Sequence, residues 1–286
     1  MVLSNIIYIP FSGVGLFDDP DDNTWLAYRI QIFKDYTLKS ILNQTVKPDL
    51  LWLSFDGRKG NPLINNLKDY LKDKIHAIIT YDGLIYKDDK FVFRWRDTGN
   101  YQSTWAQAWR MLGRSIKRRK LRILTRYLHR LFFKNRSLPK RLQKSLFWVN
   151  KDVTLTRLDS DDCLHKDWIK NMPPMLHHYS AICSSAYLYN IHTKQLADWN
   201  PKTCPQTFAV CMSSSTFNNW RNFYAFWRAY TSHEDANKWT IFHPLVHPNR
   251  FLMLIHGNQI SSTWEHPFRG KEIKDLSILK DFGIAC

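Results

Sequence analysis

The sequence holds no uninterrupted apolar stretch of about 18 residues, so no helix is expected to cross a bilayer. It has no Cys-x-x-Cys pair. Its five cysteines are Cys163, Cys183, Cys204, Cys211 and Cys286. An odd count without paired spacing argues against a disulfide framework or a zinc knuckle. It fits a reducing compartment, and a cytoplasmic location is expected. Ten Gly and 12 Pro among 286 residues are too few for a fibrous chain. Met1–Pro10 lacks a basic leader and a small-residue cleavage site, so it is expected to form a first core strand rather than a signal peptide. Acidic residues are missing altogether between Thr98 and Lys151, a stretch with 15 Lys and Arg.

That last absence explains the charge. The net charge is +16, yet outside this stretch 26 basic residues face 25 acidic ones. A diffuse nucleic-acid-binding surface is therefore the weaker explanation of the basicity, and nucleic acid is not the expected partner. Hydrophobic residues make up 44% and aromatics 15%, with 12 Trp, which is enough for a large buried core. One domain spanning residues 1–286 is expected, with a basic helical insertion at about 113–144.

The pattern along the chain is strand, helix, strand, helix, strand. LSNIIYI (3–9) is closed by Pro10. Ile30, Phe33, Thr37, Leu38, Ile41 and Leu42 recur at helical spacing, with Pro48 just beyond. LLWLSF (50–55) ends in Asp56-Gly57. A polar amphipathic helix covers Leu63 to Leu71, and IHAIITY (75–81) ends in Asp82-Gly83. This order predicts a parallel sheet. Ligands of open α/β sheets bind beyond the carboxyl ends of the strands, which makes Asp56 and Asp82 candidates for donor or substrate contact. Ordinary Asp-Gly turns explain them equally well.

Residues 101–112 read as helical. Beyond them Arg118, Arg122, Arg126, Arg130 and Lys134 recur at every fourth position, with Leu121, Leu124, Leu128, Leu131 and Phe132 on another face. This basic amphipathic helix suits peripheral contact with an anionic membrane, or plain packing on the domain. Strands are expected before the acidic cluster at 159–162, at Ser180 to Tyr189, at Thr207 to Ser213 and at Arg250 to Ile255. A loop is expected at Asp198 to Pro205 and an aromatic helix at Arg221 to Tyr230. The tail after Gly270 reads as a final helix or a loose end.

The strongest chemical signal is Thr156-Arg157-Leu158-Asp159-Ser160-Asp161-Asp162. Three carboxylates in four positions repel one another unless a cation joins them, and hard oxygens suit Mg²⁺ or Mn²⁺. In an extended segment Asp159 and Asp161 point the same way and face one ion together, while Asp162 points elsewhere. An acidic loop in which Asp162 caps a following helix is the alternative. Ser232-His233-Glu234-Asp235-Ala236 offers adjacent carboxylates for a general base and a hydroxyl-orienting group, or a capped helix start. His256 ends an apolar strand before Gly257 and can complete a metal shell or serve structurally. His243 and His247 are four apart, but Pro244 breaks the helix that would pair them as zinc ligands.

Taken in order, these elements resemble a GT-A-type glycosyltransferase. Within that group they are similar to the rhamnosyltransferase-like family of bacteria and their viruses. The resemblance rests on Trp25-Leu26-Ala27-Tyr28-Arg29 followed by IFKDYTLKSILNQTVKPDLLWLSFD, on TRLDSDD as the DxD element, on SHEDA as the xED element and on HGNQIS as the histidine element. It implies a Rossmann-like, mostly parallel central sheet flanked by helices. It also implies sugar transfer from a nucleotide-sugar donor to a glycan, lipid-linked or protein hydroxyl. Asp56 would contact the donor's base or ribose, Asp159 the ribose or metal, and Asp161 the metal. His256 would meet the metal or diphosphate, with Arg157, Asp82, Asp162 and Glu234 also in the donor or substrate site. Asp235 would deprotonate the acceptor in an inverting displacement. The basic insertion has no counterpart in the family. Two other classes use similar features: a metal-dependent phosphotransferase or nuclease, and a non-enzymatic basic module that binds membranes or nucleic acid.

Overall fold

The computed structural model describes residues 4–11, 23–55, 60–81, 86–87, 90–91, 152–172, 179–183, 185–199, 207–214, 243–257 and 270–285. The chain opens with β1 (Ser4–Phe11) and α1 (Asn23–Ile32). A π-helical turn (Phe33–Thr37) runs straight into α2 (Leu38–Leu42). Next come β2 (Leu50–Phe55), α3 (Pro62–Leu71), β3 (Ala77–Tyr81) and the short hairpin β4 (Tyr86–Lys87) and β5 (Lys90–Phe91). The second half supplies β6 (Val153–Arg157), β7 (Asp162–Leu164), β8 (Tyr179–Cys183), β9 (Ala186–Asn190) and β10 (Gln195–Trp199). It continues with β11 (Phe208–Met212), β12 (His243–His247), β13 (Phe251–Ile255), β14 (Lys271–Ile273) and a 3₁₀ helix (Leu276–Phe282).

Seven strands form one sheet in the order β12-β8-β11-β6-β1-β2-β3. Strands β6, β1, β2 and β3 are parallel neighbours, and β11 runs antiparallel between β6 and β8. The expected mostly parallel α/β sheet is therefore present. β2 is buried at every position, as an interior strand of a sheet covered on both faces should be. Trp52 sits edge-on to Tyr8 in its register partner, 4.6 Å between ring centres, and Phe55 stacks on Phe11 where the two strands end. α3 begins where the Asn61 side chain accepts from the Leu63 N–H and Pro62 needs no amide partner. Its buried stripe is Ile64, Leu67 and Leu71.

A second sheet has the order β14-β10-β9-β13-β7. The chain steps from the large sheet to the small one at β6–β7, β8–β9 and β12–β13. One apolar cluster joins Ile7, Leu51 and Leu53 of the large sheet to Leu164, Leu188 and Phe251 of the small one. A second cluster gathers Ile32, Tyr189, Leu252 and Phe282 on the other side of the small sheet. Among the described residues, no helix is long and apolar enough to cross a membrane.

Several sequence expectations change. Ser180 to Tyr189 is not one strand: β8 and β9 belong to different sheets, with the crossing at residues 184–185. Asp198 lies in β10 rather than in a loop. His243 and His247 lie on a strand at the edge of the large sheet, where Pro244 is tolerated. The tail is held down: Leu279 and Phe282 are buried, and Gly283 ends the 3₁₀ helix with φ of 72°. A β-carbon there would also press against the Lys39 carbonyl oxygen at 3.0 Å, so both backbone angle and space select glycine. The basic insertion at 113–144 and the helices expected at 101–112 and 221–230 lie outside the described residues.

Candidate functional site

In the large sheet the chain order reverses beside β1. From β1 it proceeds outward through β2 and β3, then returns to lay β6 on the other side of β1. Such a switch point leaves an opening beyond the carboxyl ends of the two diverging strands, and ligands of open α/β sheets bind there. Asp159, Ser160, Asp161 and Asp162 follow the carboxyl end of β6 at this point. They lead directly into β7 of the second sheet.

The segment is a turn, not the extended run expected. The Asp162 N–H donates to the Asp159 carbonyl at 3.2 Å, and Asp162 begins β7 instead of capping a helix. The turn sends the carboxylates to different partners. Asp159 pairs with Arg157 at 2.9 Å. Asp161 pairs with the guanidinium of Arg29 and takes a 3.0 Å hydrogen bond from His256 Nε2. Burial opposes the charge on Asp161, but Arg29 and His256 outweigh it and hold its carboxyl well below the usual carboxylate range. An ionised carboxylate only accepts hydrogen bonds, so Nε2 of His256 carries the proton here.

Asp162 is the exception. It is buried, and its Oδ2 has no hydrogen-bond partner among the described residues. Burial pushes its carboxyl well above the ordinary range, reinforced by the charges of Asp161 and Asp159. Asp159 and Asp161 each face a guanidinium, whereas the surroundings of Asp162 disfavour its charge. The hard oxygens, a nearby imidazole and the orphaned Oδ2 fit a divalent ion such as Mg²⁺ or Mn²⁺. In the present arrangement no three His, Cys, Asp or Glu side chains among the described residues stand close enough together to hold an ion.

His256 follows β13, which runs antiparallel to β7, and this pairing brings the imidazole to Asp161. Its carbonyl accepts from Tyr28 Oη at 3.0 Å and lies 3.1 Å from the His192 ring. Consecutive residues of α1, Tyr28 and Arg29, therefore hold the backbone of His256 and the side chain of Asp161. Further along the same helical run, Thr37 donates to the Ser160 carbonyl, Ser40 accepts from the Leu164 N–H, and Gln44 donates to the His165 carbonyl. Arg29, Thr37 and Ser40 are buried on one face of the helical run, and Gln44 is buried just past its end. The sequence reading used Tyr28 and Arg29 only as part of a family resemblance and gave them no role. Polar residues at helical spacing among Ile30, Phe33 and Ile41 were the available signal, because a buried polar stripe must find partners.

Asp56, Asp82, Glu234 and Asp235 lie outside the described residues. The structure therefore joins Arg157, Asp159, Asp161, Asp162 and His256 into one site. It places the carboxyl ends of β2 and β3, which Asp56 and Asp82 follow, on the same edge of the sheet.

No family model matches the sequence, and no curated protein matches it at a significant level. Among solved structures, the chain is similar to TarS 1-349 of S. aureus, with 9% identity and a TM-score of 0.39. That match covers 88% of this chain, which spans only 60% of the TarS fragment's length. It is similar to the inositol-1-phosphate CTP transferase of T. maritima, with 12% identity, 99% and 98% coverage and a TM-score of 0.39. HddC of Yersinia pseudotuberculosis gives 10% identity, 88% and 93% coverage and a TM-score of 0.40. The class of the protein is therefore taken from its own topology: a mixed α/β chain with a carboxylate turn at the switch point of its main sheet.

Proposed function

We propose that the protein is a GT-A-type glycosyltransferase that moves a sugar from a nucleotide-sugar donor to an acceptor hydroxyl with the help of Mn²⁺ or Mg²⁺. The observation that carries this reading is the position of the carboxylate turn: it lies at the switch point, where ligands of open α/β sheets bind. Asp159, Asp161 and His256 would hold the ion. A bound ion supplies positive charge for the diphosphate as its bond to the anomeric carbon breaks. Arg29 and Arg157 pair with Asp161 and Asp159 and hold these carboxylates in place. Asp56 and Asp82, at the ends of the next two strands, would meet the base and ribose. Asp235 is assigned as the base that takes the acceptor proton, which suits inversion, with Glu234 orienting a hydroxyl. The acceptor is a glycan, lipid-linked or protein hydroxyl, and the basic segment around Arg118 to Lys134 would hold the enzyme near an anionic surface.

A thermal-shift panel of nucleoside diphosphates and sugar nucleotides, each with and without Mn²⁺, tests the reading. A ligand that binds only the folded state raises stability with its concentration over its Kd. At least one sugar nucleotide should raise the melting temperature with Mn²⁺ present and be slowly hydrolysed to its diphosphate. No shift with any of them would overturn the proposal. Cleavage of nucleic acid without sugar-nucleotide hydrolysis would favour a nuclease.

A further inference from the structure

We propose that Thr207 binds the sugar of the donor and helps select it; this rests on the nucleotide-sugar reading above. Thr207 leads into β11 and is fully buried, and its hydroxyl has no hydrogen-bond partner among the described residues. Side chains alternate along a strand, so Thr207, Ala209 and Cys211 share one face of the large sheet. Ala209 and Cys211 stand opposite Thr156 and Thr154 of β6. Those two hydroxyls are accounted for: Thr154 meets the Cys211 sulfur at 3.2 Å, and Thr156 accepts from Trp168 Nε1. Continuing the ladder by one residue sets Thr207 between Leu158 and Cys183. Leu158 is apolar, and the Cys183 thiol donates to the Asn249 carbonyl. Neither neighbour satisfies Thr207. A buried hydroxyl without a partner is destabilising, and a ligand can supply the missing bond.

Position selects the ligand. β11 runs antiparallel to β6, so its first residues lie at the carboxyl end of β6, beside the carboxylate turn. Across the sheet the strands follow the order β3, β2, β1, β6, β11. The proposed contacts follow the same order. Asp82 and Asp56, after β3 and β2, would meet base and ribose, and the turn after β6 would meet the ion and diphosphate. The sugar is the next group of the donor, and β11 is the next strand, about 4.8 Å further on. What Thr207 lacks is a hydrogen bond, not a counter-charge. A sugar hydroxyl both donates and accepts, as the threonine hydroxyl does, so the two are matched. The oxygen is enclosed in the unliganded chain, so the sugar reaches it only by displacing what covers it. Such an oxygen discriminates well, because a sugar with no hydroxyl at the matching position leaves it unpaired.

The test is calorimetry with Mn²⁺ on the full chain, in wild type, Thr207→Val and Thr207→Ser. The probes are UDP, GDP and dTDP, each beside one of its sugar nucleotides: UDP-glucose, GDP-mannose and dTDP-glucose. Valine has the shape of threonine without the hydroxyl. For a pair that binds wild type, Thr207→Val should weaken the sugar nucleotide about tenfold and leave the free diphosphate unchanged. Thr207→Ser keeps the hydroxyl and should restore most of that affinity. Unliganded Thr207→Val should melt at or above the wild-type temperature, because no protein group loses a partner. A purely structural threonine would move the melting temperature and not the ratio of the two affinities. An unchanged ratio in Thr207→Val overturns the inference. So does a Thr207→Val chain that fails to fold, since the hydroxyl would then serve the fold. If no sugar nucleotide binds wild type, the nucleotide-sugar reading itself fails and the inference falls with it.

Discussion

β2 and β6 flank β1 on either side, and both are buried along their whole length. β2 is apolar apart from Ser54, whereas β6 buries Thr154, Thr156 and Arg157. Each of these polar side chains has a partner. Thr154 Oγ1 lies 3.2 Å from Cys211 Sγ, Thr156 Oγ1 accepts from Trp168 Nε1, and Arg157 pairs with Asp159. The difference separates two duties. β2 holds the platform together through area removed from water, which tolerates no polar group without an acceptor or donor. β6 carries a partnered polar row up to the switch point and delivers the carboxylates there.

The comparison breaks most visibly at Trp52. Trp52→Ala removes a fully buried ring and should cost about 3–5 kcal/mol in urea unfolding. It should leave ligand affinity unchanged in whatever fraction stays folded, because the loss is on the platform side.

A smaller effect comes from the polar side and depends on pH. His247 stacks on Trp168 at 3.8 Å, its Nε2 donates to the Trp168 carbonyl, and its Nδ1 accepts from the Asn249 N–H. Burial pushes its pKa from 6.5 down to about 4. Between these values the unfolded chain binds the proton and the folded one does not. Stability is therefore full above the unfolded value and falls as pH drops through this window, by at most about 3 kcal/mol. Urea midpoints measured from pH 7 to pH 4 should decline, and His247→Gln should flatten the decline. An unchanged slope in that variant would remove His247 from the account.

Asp162 should act in the opposite direction. Its carboxyl is raised, so its contribution to stability is present at low pH and is lost as pH rises through its folded value. Asp162→Asn keeps the shape of the neutral carboxyl but cannot ionise, so it should remove this loss and stabilise the metal-free protein by roughly 1–2 kcal/mol where the wild-type group is charged. Destabilisation of that size would mean that the carboxylate is needed by the fold itself.

The same contrast decides what the sequence made legible. LLWLSF was read to the residue, because a strand buried on both faces is one unbroken apolar run bounded by turn residues. The end of β6 was read from the abrupt change to acidic residues. Other features were hidden. Nothing but Ser184-Ser185 marks the point where β8 gives way to β9, so two apolar strands in different sheets looked like one. Pro244 correctly excluded a helix, yet an edge strand was available to it. The turn at Asp159–Asp162 depends on the pairing of β7 with β13, about 90 residues away, and on the α1–α2 stripe that grips it. Local pattern carries no information about such distant partners. Arg29 was invisible for the same reason: its significance lies in Asp161, which is 132 residues further on.

The central claim is that the carboxylate turn binds an ion together with a nucleotide, and Asp161→Asn tests it most directly. Thermal melts of wild type and variant, each with Mn²⁺, nucleoside diphosphate, both or neither, give the decisive comparison. The account predicts that the stabilisation produced by Mn²⁺ and nucleotide together disappears in the variant, while the unliganded variant still melts cooperatively. A variant whose melting temperature rises with Mn²⁺ and nucleotide as much as that of wild type would contradict the account.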